Sequence, residues 1–413
     1  MPGARGVRVG LLSLCATLAA TAAFAQEAPH PRVHVPGFLP EHRLLNSGAE
    51  IGGRYVAEKP RTAGPFFSLR GIAPGSGGLA LALGLRQDIR RVIVEVSGAI
   101  SPRAYKTAQL VVEVPGLANG KVALGVQSVW QDFTQVNYFG TGTDSAQRDR
   151  SHYRLGAIDS VGYITITPAP SLTVQGVVGS LAGVSVGRST GLFGVDLPEA
   201  TTTFPNEPLM RASRQPRYAH AGVSIAADTR DYPEHPTNGA LYRAGWTTYR
   251  DRTFAAYSFD RTEFDVLRVV PLADRWRLIG YGVAAFTRTA SGQQVPFYLL
   301  PTMGGGHSLR SFQTFRFADR HLAQLRVESR WSLTTHVDLA AFADAGSVAA
   351  VVRDLDRVRT SVGFGLRLHA HTTTVSRMDF AYGREGWSVV FSMSDPFRLK
   401  RLTKWTTAAP FVW

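Results

Sequence analysis

The sequence of 413 residues has one cysteine, Cys15, five lysines, and only 18% charged residues. A single thiol excludes an internal disulfide framework and any multi-cysteine metal centre. Past the N-terminus there is no run of about 20 apolar residues, which excludes a bundle of membrane-spanning helices. No glycine-rich loop ends in the lysine of a phosphate-binding motif, since Gly304-Gly305-Gly306 runs on into His307. His30 and His34 lack the convergent spacing of a metal site, and no metal or cofactor is expected. The remaining histidines are scattered. A hydrolytic triad built from His369 with Ser361 or Asp379 has no supporting motif, so no enzymatic activity is expected.

What the sequence does have begins with a leader. Arg5 and Arg8 precede an apolar stretch from Val9 to Ala23, and Ala23-Phe24-Ala25 has the small-x-small form of a cleavage site. Residues 1–25 are therefore expected to be a signal peptide. Cys15 follows Leu14, which is not the small residue a lipoprotein site requires. Residues 26–63, rich in Pro, His, Arg and Gly, show no period and are expected to be an irregular periplasmic segment. The net charge of +14 is carried almost wholly by arginine. On a secreted chain this points to lipopolysaccharide or a basic interior rather than to nucleic acid, and no nucleic-acid partner is expected.

From Gly64 the chain alternates. Leu81, Leu83 and Leu85 are interleaved with Ala82 and Gly84; Leu325, Val327 and Trp331 with Arg326, Glu328 and Arg330. Val362, Phe364, Leu366 and Leu368 oppose Gly363, Gly365, Arg367 and His369, and Met378, Phe380 and Tyr382 oppose Arg377 and Asp379. Period two means one face apolar and one polar. Several runs reach the roughly 9–11 residues a transmembrane strand needs, longer than a sandwich strand of about 5–6. The pattern predicts an all-β, transmembrane antiparallel β-barrel of 16 strands over residues 64–397, followed by a tail at 398–413. Its strands are expected near 65–72, 78–87, 90–99, 104–115, 121–132, 152–168, 171–186, 217–228, 239–250, 257–270, 275–288, 320–333, 336–346, 357–370, 373–383 and 387–397. Links on the two ends alternate short and long. Gln87–Ile89, Ala169–Pro170, Thr334–Thr335 and His371–Thr372 fall on the short side; 133–151, 187–216 and 289–319 fall on the long side. That is the asymmetry of outer-membrane barrels.

Four segments then carry a resemblance. Pro301-Thr-Met-Gly304-Gly305-Gly306-His-Ser-Leu309-Arg310-Ser-Phe312, followed by Phe315-Arg-Phe-Ala-Asp319, resembles the sixth-loop signature of the BamA/TamA-like superfamily. These are the outer-membrane barrel-assembly and two-partner-secretion transporters, also called bacterial surface antigens. Asp228-Thr-Arg230-Asp231 with Pro236-Thr-Asn-Gly239 is similar to the family's periplasmic turn between strands eight and nine. Phe342-Ala-Asp344-Ala-Gly346 is similar to its thirteenth-strand motif, and Tyr138-Phe-Gly140-Thr-Gly142-Thr-Asp144-Ser145 to its third-loop motif. The resemblance implies a bacterial outer-membrane protein that assists insertion or export of other proteins, with the sixth loop folded into the barrel. A buried Arg310 needs an acidic partner, and Asp344, on the same strand face as Asp338 and Phe342, is the expected one. Ser311 stands where the family usually carries glycine.

Two expectations concern the ends. Phe397 is expected to close the last strand as the terminal aromatic signal, with Trp413 as the alternative and 398–413 as an interfacial extension. Residues 26–63 are too few for a periplasmic POTRA domain, so the barrel is expected without them, a periplasmic or POTRA-bearing partner supplying that role. The rival reading is a passive channel or structural surface barrel, with Arg326, Arg330, Arg367 and Arg377 lining an anion-preferring interior.

Overall fold

The computed structural model describes residues 63–73, 76–190 and 197–399, together with residues 47, 49 and 50. The expected signal peptide, nearly all of the segment 26–63, and the tail beyond 399 with Trp413 lie outside the described residues.

Among the described residues eighteen strands follow one another. They are β1 (Gly64–Ala73), β2 (Ser76–Ile89), β3 (Val92–Ile100), β4 (Lys106–Gly116), β5 (Val122–Tyr138), β6 (Ser151–Ala169), β7 (Leu172–Gly187), β8 (Tyr218–Asp228) and β9 (Gly239–Asp251). Next come β10 (Phe259–Ala273), β11 (Trp276–Arg288), β12 (Thr302–Met303), β13 (Phe317–Ala318), β14 (His321–Ser332), β15 (Val337–Ala349), β16 (Arg359–His369), β17 (Thr374–Gly383) and β18 (Gly386–Ser392). Sixteen of them form one antiparallel sheet in strict sequence order. The two-residue β12 and β13 pair only with each other, inside the long segment between β11 and β14. No described helix is long and apolar enough to cross a membrane.

Side-chain parity builds the sheet as the alternation predicts. Leu81, Leu83 and Leu85 are exposed while Ala80 and Ala82 are buried; Val362, Phe364 and Leu366 are exposed while Arg367 is wholly buried. The apolar face stays bare from strand to strand, with Trp130, Ile164, Val178, Trp246, Phe264 and Phe391 among its exposed side chains. Over β14, β15 and β17 the polar face is covered by the segment 289–320 and by residues after β18. Phe297 and Tyr298 of that segment join an aromatic cluster with Tyr105, Phe133, Tyr138, Tyr153 and Phe259.

Links alternate as expected. At one end they are short, down to two residues at 90–91, 170–171 and 274–275. At the other they run to 12 residues at 139–150, 30 at 188–217 and 32 at 289–320. The strand β5 extends to Tyr138, beyond the 132 that alternation suggests. A bulge between Phe133 and Val136 keeps it paired with β6 while breaking the two-residue period.

The last strand departs from expectation as well. It stops at Ser392, not at Phe397. Pro396 has no N–H for a ladder, and the Asp395 carboxylate accepts the Phe397 amide at 2.9 Å, turning the chain. Phe397 is fully buried on the polar face, 4.8 Å from the Arg326 guanidinium and 6.4 Å, edge-on, from the Tyr281 ring.

Candidate functional site: a loop anchored on the polar face

The segment 289–320 folds back over the polar face, and its local geometry starts with glycine. Gly304 and Gly305 take φ of +116° and +92°, a region that side chains disfavour. A β-carbon on Gly304 would lie 2.4 Å from the Gln313 carbonyl oxygen. The Gly305 amide then donates to the Leu309 and Phe312 carbonyls at 3.1 and 3.0 Å, and Ser308 Oγ accepts the Gly304 amide at 3.1 Å. This tight knot presents Arg310 at its tip and buries Leu309 and Phe312. Gly306 contributes its carbonyl, which accepts from Arg377 Nη2 at 2.6 Å.

Arg310 is fully buried. Its Nη2 and Nε donate to the two oxygens of Asp344 at 2.8 and 2.9 Å, the forked geometry that a guanidinium suits best. Its backbone amide reaches the same carboxylate at 3.3 Å. Nη1 donates to Glu328 Oε2 at 2.5 Å and stands 3.7 Å from Asp379. The Phe342 ring lies beneath, its centre 3.4 Å from the guanidinium carbon. Gly363 on the neighbouring strand makes room for that ring, since a β-carbon there would lie 2.6 Å from it. Burial works against the Arg310 charge, but Asp344 and Glu328 outweigh it and hold the proton more firmly than in water.

Around this anchor the charges form a closed set. Glu328 accepts from Arg310, Arg330 and Arg367. Asp379 is met by Arg367 and Arg377. Arg330 also binds Asp395 at 2.7 Å, and Arg326 donates to the His307 and Pro396 carbonyls at 2.8 and 2.9 Å. These arginines therefore do not line a wet, anion-preferring interior: each is buried and bound to oxygen. The physical reason is shared parity, which sets Glu328, Arg330, Arg367, Arg377 and Asp379 on one polar face within bonding reach of one another. Burial alone would disfavour the ionised Asp395 carboxyl, yet the Arg330 guanidinium keeps it below the usual carboxylate range.

The other expected residues fall into two places. Gly346 sits beside Met303 of the loop, where a β-carbon would come within 2.7 Å of its sulfur. Asp228, Arg230, Asp231, Pro236 and Gly239 build the β8–β9 turn, at the short-link end. Asp231 accepts the amides of Tyr232 and Thr237 at 2.7 and 2.9 Å. Gly239 has φ of +101°. Arg230 forks onto Asp228 at 2.9 and 3.0 Å and donates to the Leu399 carbonyl at 2.8 Å. That last bond ties the turn to the segment after β18. Ser361 and His369 stand eight residues apart on β16, about 26 Å at roughly 3.3 Å per residue, so they do not meet. Ser361 Oγ instead accepts the Ser311 amide at 3.0 Å. Ser311 does not take a positive φ, so it occupies a position where glycine is usual without strain.

The third-loop segment is tied down at the long-link end. Thr143 Oγ1 donates to the Val348 carbonyl at 2.6 Å, the Gly142 amide to the Ala318 carbonyl at 2.8 Å, and Arg316 Nη1 to Ser145 Oγ at 2.8 Å. Arg316 also donates to Glu385 in the β17–β18 turn at 2.7 Å. Sequence reasoning named Arg310 and Asp344 but not the supporting roles of Glu328, Asp379, Arg330 and Arg367. Opposite charges at one parity on adjacent strands were the signal available.

A model of the Omp85 superfamily domain matches residues 188–386, a span that holds the turn, loop and β15 motifs. Among solved structures the chain is similar to BamA from Haemophilus ducreyi lacking POTRA domains 1–3, with a TM-score of 0.59 and 15% identity over 84% of this chain and 76% of that one. CdiB from Escherichia coli matches with a TM-score of 0.48 and 14% identity, covering 84% of this chain and 66% of that one. CdiB from Acinetobacter baumannii matches with a TM-score of 0.47 and 12% identity, covering 76% and 56%. No curated protein matches the chain.

Proposed function

Because the chain carries an Omp85 superfamily domain, we propose that it is a bacterial outer-membrane β-barrel that assists the insertion or export of other proteins. The 16-stranded sheet closes on itself through β1 and β18 in this reading. The bare apolar face supports it: monomeric soluble proteins rarely leave apolar patches beyond a few hundred Å² in water, and lipid is the natural cover. Lipopolysaccharide and membrane lipids are then its constant partners. The alternation of short and long links supports both ends lying on their expected sides.

The observation that carries the functional reading is the Arg310 anchor. It holds the segment 289–320 across the interior, together with the residues around 395–399. An interior filled by its own chain disfavours passive passage and directs attention to the edges of the sheet. Among the described residues β1 is paired only with β2 and β18 only with β17, and β18 is seven residues long. A seam between such strands has few ladder bonds. A client strand can add to an unpaired edge by main-chain hydrogen bonds.

Reconstitution in liposomes tests this. The protein should accelerate folding of an unfolded barrel client into the bilayer, and engineered disulfides between β1 and β18 should abolish the acceleration until reduced. Full activity in a verified cross-linked form would refute the seam mechanism.

A further inference from the structure

A groove of about 480 Å³ opens on the apolar face of β5, β6 and β7, toward the long-link end. That volume is within the roughly 300–1,000 Å³ of small-molecule sites. Register builds it. Lys106, Asp132, Gly156 and Ser185 stand opposite one another in a row across β4 to β7. One row further from the long links, Trp130 and Ile158 face each other, both exposed, and continue into the bare apolar face. Gly156 makes the floor, since a β-carbon there would come within 2.6 Å of Ser185 Oγ. In β7 a bulge at Gly183, whose φ is +59°, shifts the pairing between Gly156 and Ile158 and bends the strand. Gly187, opposite Arg154, adds open space: nothing lies within 4 Å of where its β-carbon would stand.

The rim is positive. Arg154 forks onto Asp132 at 2.7 and 2.8 Å, and Lys106 Nζ lies 3.9 Å from the same carboxylate. Asp132 is buried, while Arg154 and Lys106 keep 43% and 45% of their side chains exposed and open to a further anion. Arg188 stands at the mouth, where the chain leaves β7. Its neighbours are pinned: Ser189 gives its amide and hydroxyl to Glu199 at 3.1 and 2.9 Å, and the Thr190 amide donates to the Thr134 carbonyl at 3.2 Å. Arg188 itself is exposed and, among the described residues, makes no hydrogen bond or ion pair. Three cations thus face one carboxylate beside an apolar wall. A ligand that suits both parts carries an anionic head on an apolar body.

We infer that this groove seats the phosphorylated sugar head of an outer-leaflet glycolipid, the lipid A part of lipopolysaccharide. The inference rests on the reading of the chain as an outer-membrane barrel, which puts the long links on the outside. A phosphate monoester meets Arg188 and the edge of Arg154 that Asp132 leaves unused, and guanidinium planes suit phosphate oxygens. The sugar ring lies over Gly156 and Gly187, beside the Ser185 and Thr190 hydroxyls. The acyl chains run along Trp130 and Ile158 into the apolar face. A bare phosphate would use the cations but not that wall, and a phospholipid head would leave the glycine floor empty.

The test uses the full chain in detergent, freed of bound lipid by detergent exchange and titrated with bisphosphorylated lipid A under native mass spectrometry. One lipid A per chain is expected. Arg188→Gln removes a cation without a partner, and Gly187→Leu fills open space on a strand, so both variants keep the fold. Arg188→Gln should weaken binding about tenfold, the lower end of what a hydrogen bond to a charged group contributes. Gly187→Leu should weaken it at least as much by occupying the floor. Arg353→Gln, at an exposed position in the β15–β16 link, makes the same change of charge elsewhere and should leave binding as it is. Equal binding by wild type, Arg188→Gln and Gly187→Leu would overturn the proposal. So would an equal loss in Arg353→Gln, since the attraction would then be one of overall charge. Displacement of lipid A by an equal concentration of phosphatidylglycerol or inorganic phosphate would overturn the glycolipid assignment. Heat-dependent gel mobility tests the barrel reading separately. A chain with a heat-sensitive barrel band that binds no lipid A overturns this proposal alone; a chain without that band overturns the barrel reading and this proposal with it.

Discussion

Arg310→Ala is the most informative single change, and its size can be worked from the geometry. The guanidinium touches three carboxylates, but they do not suffer equally. Glu328 keeps Arg330 and Arg367, and Asp379 keeps Arg367 and Arg377. Among the described residues every hydrogen bond to the Asp344 carboxylate comes from Arg310. The loss is therefore that of one buried partner, about 3–5 kcal/mol, rather than three times that. At about 1.4 kcal/mol per decade, release of the loop becomes roughly a hundred to a few thousand times more frequent. The strands themselves keep their ladders, so the barrel should persist while the segment 289–320 loses protection. Hydrogen exchange and limited proteolysis of that segment read this directly. Asp344→Asn should release the loop too, and the double variant should cost less than the sum, because no charge is left buried alone. Arg310→Lys should fall between, since a lysine keeps the charge but not the fork. A loop as protected in Arg310→Ala as in the wild type would refute the anchor and the functional proposal with it.

Other consequences follow from the same structure. Gly304→Ala forces a β-carbon toward the Gln313 carbonyl at a φ of +116°, and should cost about 1–3 kcal/mol, seen as protease cleavage within 289–320. Phe397→Ala removes a buried ring packed on Arg326 and Tyr281, and about 3–5 kcal/mol is expected; cleavage after Ser392 should rise while the β18 ladder stays. Asp231→Ala strips two backbone amides of their acceptor, which should lower the unfolding temperature by an amount corresponding to about 1–3 kcal/mol. His307 is pushed down to about 3 from an ordinary 6.5, first by loss of water around its ring and then by Arg377 and Arg326. Its unfolded form takes up a proton below pH 6.5 and its folded form does not. It therefore destabilises the fold progressively as pH falls from 6.5 toward 3, and costs nothing above 6.5. His307→Gln should flatten that part of the stability profile, and an unchanged slope would remove the assignment.

Much of the site was legible because it is local or periodic. Glycines at 304 and 305 announce a backbone that only glycine takes easily, and alternation placed Arg326, Glu328, Arg330, Arg367 and Arg377 together on one face. What alternation could not supply was pairing across strands. A face of arginines reads as a basic lining until register sets carboxylates against them. Phe397 shows the same limit. An aromatic residue at the end of an alternating run resembles a strand terminus, but Pro396 and the pull of Arg330 on Asp395 turn it inward. The rings of His235 and His369 stack at 4.1 Å yet lie more than 130 residues apart in the chain, so no spacing could have brought them together.

By itself the sequence determined the period-two sorting of side chains, the number and order of the strands in the large sheet, and the loop whose glycines allow it to knot. These depend on backbone stereochemistry and on near neighbours, which every segment carries with it. Only the tertiary structure decided which charges beyond Arg310 and Asp344 neutralise which, where the chain goes after Ser392, and that rings as far apart in the chain as those of His235 and His369 stack on each other. Such contacts are fixed by register and by loops folding across the sheet. In a low-dielectric interior, displacements of an ångström decide whether a charge is satisfied or stranded.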